Sequence, residues 1–125
     1  MTRYATIRSS CRGLRYTNKK QSGGREPLIV ELVVDLEPSP GAGSLIEFGD
    51  DVAESLRPDL EDASRLWLHV DEGLELTDIR VAIRELTVHS GSGQQLGERV
   101  RVTIGDALTE ALRAVGGPWL IDAEP

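Results

Sequence analysis

Strict alternation of apolar and polar positions marks the clearest element of the chain. Leu28, Val30, Leu32, Val34 and Leu36 fall on one side of an extended segment, with Glu31 and Asp35 on the other beside Ile29 and Val33. A period of two over nine residues predicts a strand with one well-buried face. Upstream, Tyr4–Arg8 is a short extended candidate. Arg12–Lys20 alternates more loosely, with Leu14 and Tyr16 opposing Arg15, Thr17 and Lys19, which predicts a strand with one solvated face. Between these two strands, Gln21-Ser22-Gly23-Gly24-Arg25-Glu26-Pro27 predicts a turn, because paired glycines supply positive φ and Pro27 removes a ladder donor. The Leu28–Leu36 strand ends in the turn-rich run Glu37–Ser44, and Ile46 and Phe48 form a short extended piece after it.

The period then lengthens. Val52, Leu56, Leu60, Ala63, Trp67 and Val70 recur at spacings of three and four with acids opposite, predicting a helical stretch over Val52–Val70. Proline is tolerated only in a first turn, so Pro58 predicts a break with the long helix starting near it, and Gly73 is the expected close. Glu75–His89 reads as a second long strand, with Thr77, Ile79, Val81 and Ile83 facing away from Asp78, Arg80 and Arg84. Ser90–Gly97 is a polar, glycine-rich loop. Val100–Val115 supports two readings: its front alternates like a strand, while Ile104, Leu108, Ala111, Leu112 and Val115 form a helical stripe, and periodicity leaves the choice open. Pro118–Ile121 is a short apolar tail segment, and Phe48, Trp67 and Trp119 read as core. The order β-β-β-α-β-α-tail predicts an α+β fold, two helices on one face of a mixed β-sheet of about four strands.

Composition bounds the class. At 125 residues the sequence reads as one domain, 1–125, with a single hydrophobic core. The longest apolar runs, Leu28–Val30 and Leu32–Val34, are far too short for a bilayer, and the start does not read as a signal peptide, so no membrane association is expected. The lone Cys11 cannot form an internal disulfide, which suits a cytoplasmic protein.

Charge is distributed unevenly. The formal net charge is −7, yet residues 1–25 carry seven basic side chains (Arg3, Arg8, Arg12, Arg15, Lys19, Lys20, Arg25) and no acid. The remainder carries seven basic groups against all twenty-one acids. A basic arm on an acidic body either presents one end to a polyanion or pairs with the body and neutralises it.

Few residues point to chemistry. The sequence contains no G-x-x-x-x-G-K-[ST] phosphate loop, and Gly41-Ala42-Gly43-Ser44 lacks the following lysine, so no nucleotide is expected. His69, His89 and Cys11 are too few and too scattered for a metal site. His69, near a helix end, reads as a capping or surface histidine. The acid pairs Asp50-Asp51, Glu61-Asp62 and Asp71-Glu72 read as helix-end partners or solvated charges, and Ser22, Ser90 and Ser92 have no histidine–acid pair beside them. No enzyme activity and no cofactor are expected.

Several short motifs share one resemblance. Lys20-Gln21-Ser22-Gly23-Gly24-Arg25, followed by an apolar strand closing at Glu37-Pro38, resembles the opening of domain IV in the elongation factor G / elongation factor 2 family of translational GTPases. Tyr4-Ala5-Thr6-Ile7 is similar to the start of that domain, and Leu56–Ala63, with Pro58 and Leu60, to the start of its long helix. Leu76-Thr77-Asp78-Ile79-Arg80-Val81 resembles its TDVRV-type strand, and His89 falls where that strand ends in a histidine-bearing tip. Glu110-Ala111, Pro118, Leu120 and Glu124-Pro125 echo the domain's close. The motifs run in order along essentially the whole chain.

The resemblance implies a ribosomal protein S5 domain 2-like fold with a left-handed βαβ crossover, and a helix over most of Val100–Val115. It also implies a stand-alone, non-catalytic module that approaches the ribosome through two tip loops, toward rRNA, tRNA or mRNA at the decoding region. The candidate contact residues are Lys19, Lys20, Gln21, Ser22, Gly23, Gly24 and Arg25 in one loop, and His89, Ser90 and Gln94 in the other. Both loops depart from the family: Glu26 replaces the glycine after its Gly-Gly-Arg, Pro27-Leu28-Ile29 replaces the residues that follow, and Ser90–Gly97 replaces its acidic tip sequence. The alternative expectation is a protein-interaction or homo-oligomerising domain that kept the fold without ribosome binding, using an exposed sheet or the tail Pro118–Ile121.

Overall fold

The computed structural model describes residues 2–20, 28–71, 73–89 and 96–121. In chain order these form β1 (Arg3–Thr6), β2 (Cys11–Lys20), β3 (Leu28–Pro38), β4 (Leu45–Phe48), a 3₁₀ turn (Glu54–Leu56), α1 (Arg57–Leu68), β5 (His69–Asp71), β6 (Leu74–Leu76), β7 (Ile79–His89), α2 (Leu96–Ala114) and β8 (Trp119–Leu120). The main sheet has the order β2-β3-β7-β4. In it β3 runs antiparallel to both neighbours and β4 runs parallel to β7, so the sheet is mixed, as expected.

The core lies where the sequence pattern puts it. Val30, Leu32, Val34 and Leu36 are fully buried on one face of β3. On β7 the matching face is Ile79, Val81 and Ile83, paired with Pro38, Leu36 and Val34. Beyond Ile83 the apolar residues change parity to Leu86 and Val88. A bulge absorbs the change: Val34 opposes Ile83, Val33 opposes Glu85, and Arg84 is the extra residue. Without it, a one-residue slip would turn Leu86 and Val88 away from the core.

Two helices cover this face, α2 lying over β3 and β2 and packing against α1. α2 buries Val100, Thr103, Ile104, Ala107, Leu108 and Ala111, a helical stripe that resolves the ambiguous segment. Its β-branched front costs a few tenths of a kcal/mol per residue in helix propensity. Burying each of Val100 and Ile104 returns about 1.5–3 kcal/mol, so packing outweighs propensity. The Thr103 hydroxyl is satisfied by donating to the Arg99 carbonyl at 2.7 Å.

Three expectations need correction. Within the helical stretch predicted over Val52–Val70, the restart expected near Pro58 is present: α1 follows the 3₁₀ turn with Pro58 in its first turn, where the missing N–H has no intrahelical partner to lose, and only its far end differs. It ends at Leu68 rather than at Gly73, and Gly73 (φ 85°) instead lies between β5 and β6. The single strand predicted over Glu75–His89 is two strands in different sheets. They break at Asp78, whose φ of 54° no strand residue adopts. Asp78 is held there by the loop that follows β3: Ser39 N–H donates to its carbonyl at 2.8 Å, and Gly43 N–H to its Oδ1 at 3.0 Å. The third correction is a second sheet that alternation alone does not announce, with the order β5-β6-β1-β8. Its strands are two to four residues long. Within it Trp119, expected in the core, is 55% exposed, with the Arg8 guanidinium stacked 4.3 Å from its ring centre. Phe48 and Trp67 are half-buried and pack against the core.

Candidate nucleic-acid interface

Strand register decides where the two candidate loops leave the fold. Lys19 pairs with Ile29, and Ile29 pairs with His89. The ends of β2, β3 and β7 therefore form one row. Cross-strand partners project on the same face, and Val30 next to Ile29 faces the helices, so Lys19 and His89 lie together on the helix-free face. Two strand spacings separate them, about 10 Å between Cα atoms. Both side chains are exposed. The Lys20 backbone pairs with Leu28 and closes the described part of β2. Gln21, Ser22, Gly23, Gly24, Arg25, Ser90 and Gln94 lie outside the described residues. The structure thus brings together the strand ends that carry them.

One residue at this end escaped the sequence reading. Arg99, in the first turns of α2, donates from Nη1 to the Asn18 side-chain oxygen at 3.3 Å, tying the helix to the end of β2. A signal was present: helix N-termini favour acids, so an arginine there asks for an anion or an acceptor nearby.

Two other arginines of the basic arm behave differently. Arg15 binds Glu31 at 2.7 Å, and Arg12 binds Glu37. Glu37 also receives Arg80 at 2.7 Å, and Arg80 reaches Glu47 at 2.7 Å. The hydrogen bond from Arg12, reinforced by that from Arg80, holds the Glu37 carboxyl below the ordinary carboxylate range. Asp35, 5% exposed, accepts from Gly13 N–H at 2.7 Å and from Arg84 at 3.4 Å. Gly13 meets that carboxylate from a bulge in β2 at φ 68°, a conformation glycine adopts without steric cost. These groups line an open concavity of about 500 Å³ on the helix-free face of the sheet. Its arginines are already committed to acids.

Other chemically suggestive groups resolve into structural pairs. His69 follows the last residue of α1, and its Nδ1 lies 2.7 Å from Glu75 Oε1. Ser44 shares a small concavity of about 220 Å³ with this pair, yet no hydrogen bond joins it to His69 among the described residues, so nucleophile and base are not assembled. Glu61 pairs with Arg65 at 3.3 Å, and Arg101 bridges Asp59 and Asp62. Burial and the nearby Asp35 push the Cys11 thiol up, the opposite of an activated cysteine. No helix among the described residues is long and apolar enough to cross a membrane.

The fold is that of an α+β domain consistent with the S5 domain 2-like type, in which two helices cover one face of a mixed sheet. Among solved structures, the chain is similar to a protein from Thermus thermophilus, with a TM-score of 0.74 and 16% identity. The match covers 94% of this chain and 18% of the Thermus chain, so the present sequence spans less than a fifth of that protein. No protein-family model matches the sequence.

Proposed function

We propose that the chain is a non-catalytic, translation-factor-like module that binds the ribosome or its RNA with the tip formed at the ends of β2, β3 and β7. The observation that carries this reading is the row Lys19–Ile29–His89, which makes two loops far apart in sequence leave the sheet side by side. Lys19, Lys20 and Arg25 supply phosphate contacts, and His89 with Gln21, Ser22, Ser90 and Gln94 supplies hydrogen bonds to RNA. Gly23 and Gly24 let the backbone approach closely. The setting is cytoplasmic, and the module uses no cofactor or metal of its own. The test is cosedimentation of the chain with ribosomes across a salt series. Binding at low salt that weakens steeply as salt rises is the expected result; no cosedimentation at low salt ends the proposal.

A second reading rests on a different observation. Tyr4, Trp119 and Ile121 are exposed and share one face of the small sheet, an apolar surface of the kind that contacts another protein. A stable homodimer in sizing, together with no ribosome binding, would favour this reading over the first.

A further inference from the structure

β2 is the outermost strand of the main sheet, and among the described residues no strand pairs with its outer edge. Its bulge is confined to the start, between Cys11 and Leu14, and from Leu14 to Lys20 the register with β3 is unbroken. Along this run alternate residues turn N–H and C=O away from β3, leaving a regular ladder open to another strand. The remaining described edges are shorter: β4 has four residues, β5 three and β8 two.

The side chains along the edge select the occupant. On the helix-free face stand Arg15, Thr17 and Lys19, and β2 contains no acid. Arg15 spends one side of its guanidinium on Glu31 and keeps more than half of its side chain in solvent. On the helix face stand Leu14, Tyr16 and Asn18. Tyr16 is half-buried, and burial together with the nearby Asp106 and Glu110 of α2 raises the pKa of its hydroxyl. A second copy of the chain does not fit. Antiparallel self-pairing over Leu14–Lys20 centres on Thr17 and sets Arg15 against Lys19, a like-charge pair on each side of the axis.

We infer that the β2 edge accepts an extended segment of a partner protein, with acids at alternate positions facing Arg15 and Lys19 and uncharged or basic residues between them. Backbone hydrogen bonds hold the added strand, and charge sets its register. This surface shares Lys19 with the tip reading but differs from it in ligand and contact, since that reading places RNA on the loops rather than along the edge backbone.

Amide hydrogen exchange on the ¹⁵N-labelled chain tests it, using an eight-residue peptide that alternates glutamate with threonine. At a peptide concentration ten times its Kd, the outward amides of Leu14–Lys20 should exchange about tenfold more slowly, while those of β4 stay unchanged. The same peptide with lysine for glutamate should protect nothing. Arg15→Gln combined with Lys19→Gln should remove the protection, and Lys19→Gln alone, which leaves the Arg15–Glu31 pair intact, should weaken it. Failure of the acidic peptide to protect these amides at millimolar concentration overturns the inference. So does equal protection by the lysine peptide, or equal protection of β4. Protection of the same amides by a single-stranded RNA overturns it in favour of nucleic acid. Loss of ribosome cosedimentation with peptide protection intact defeats the tip reading alone.

Discussion

At the end of the main sheet marked by Cys11, Leu36 and Val81, basic and acidic side chains are locked together. Arg12 and Arg80 converge on Glu37, Arg80 continues to Glu47, and the neighbouring Arg84 reaches Asp35. At the other end of the same strands, the row Lys19–Ile29–His89 contains no acid. The two ends differ in where acids fall along β3 and β4, because Glu37 and Glu47 sit at one end and only Glu31 approaches the other. Cations closely paired to carboxylates have little left for a ligand, whereas exposed cations without them carry the salt-dependent term of RNA binding. Under the proposed function, the first end serves stability and the second serves recognition.

Replacing Lys19, Lys20 and Arg25 together by Ala is the strongest test of that division. Ribosome association at low salt should fall by about 100-fold or more, while the urea midpoint stays put. An equal loss of stability would break the comparison. Gly49→Ala strikes the opposite end. Gly49 N–H donates to the Ile83 carbonyl at 2.8 Å, and an added Cβ would be driven into the Arg84 carbonyl oxygen. Equilibrium unfolding should show a loss of about 2–4 kcal/mol with tip binding kept in the folded fraction. Asp35→Ala leaves Gly13 N–H without its acceptor and should cost about 1–3 kcal/mol, and Asp35→Asn, which keeps an acceptor, should cost less.

The pH dependence sharpens the contrast further. The folded carboxyl of Glu37 lies below its ordinary 4.5, so its contribution to stability is fully present above that pH and is lost as pH falls through the folded value. Urea midpoints measured from pH 6 down to pH 3 should fall less steeply in Arg80→Met than in the parent chain; identical slopes would show that Arg80 contributes nothing through the network. The smallest effect is expected for His89→Ala. A stability change within about 0.5 kcal/mol, measured by thermal unfolding, fits an exposed strand end, and a larger one would make His89 structural.

Much of the fold was legible because burial and period coincide. The face Val30–Leu36 was read from alternation, whereas the bulge between Ile83 and Glu85 emerged only from the strand register. The small sheet was not legible. Strands of two to four residues are too short to show a period, and β8 exists only because Ile121 N–H reaches Tyr4 and Trp119 lies beside Thr6. Trp119 was assigned to the core on residue type alone, yet its place on an edge strand leaves it in solvent under Arg8. For the candidate site, the residue types on each loop could be named from sequence, but their adjacency could not. Arg99 was missed because its acceptor, Asn18, lies 81 residues away.

The sequence by itself determined the local periods, the start of α1 near Pro58 and the separation of a basic arm from an acidic body. These depend on neighbours within a few residues, where pattern and backbone chemistry act. Only the tertiary structure decided which arginines of the arm are bound to acids, that Val100–Ile104 is helical rather than extended, and that Lys19 and His89 end in one row. Each of these depends on partners supplied by distant segments. A β-branched run accepts a helix when a core waits for it, and a cation is available to a ligand only where the fold brings no carboxylate to it.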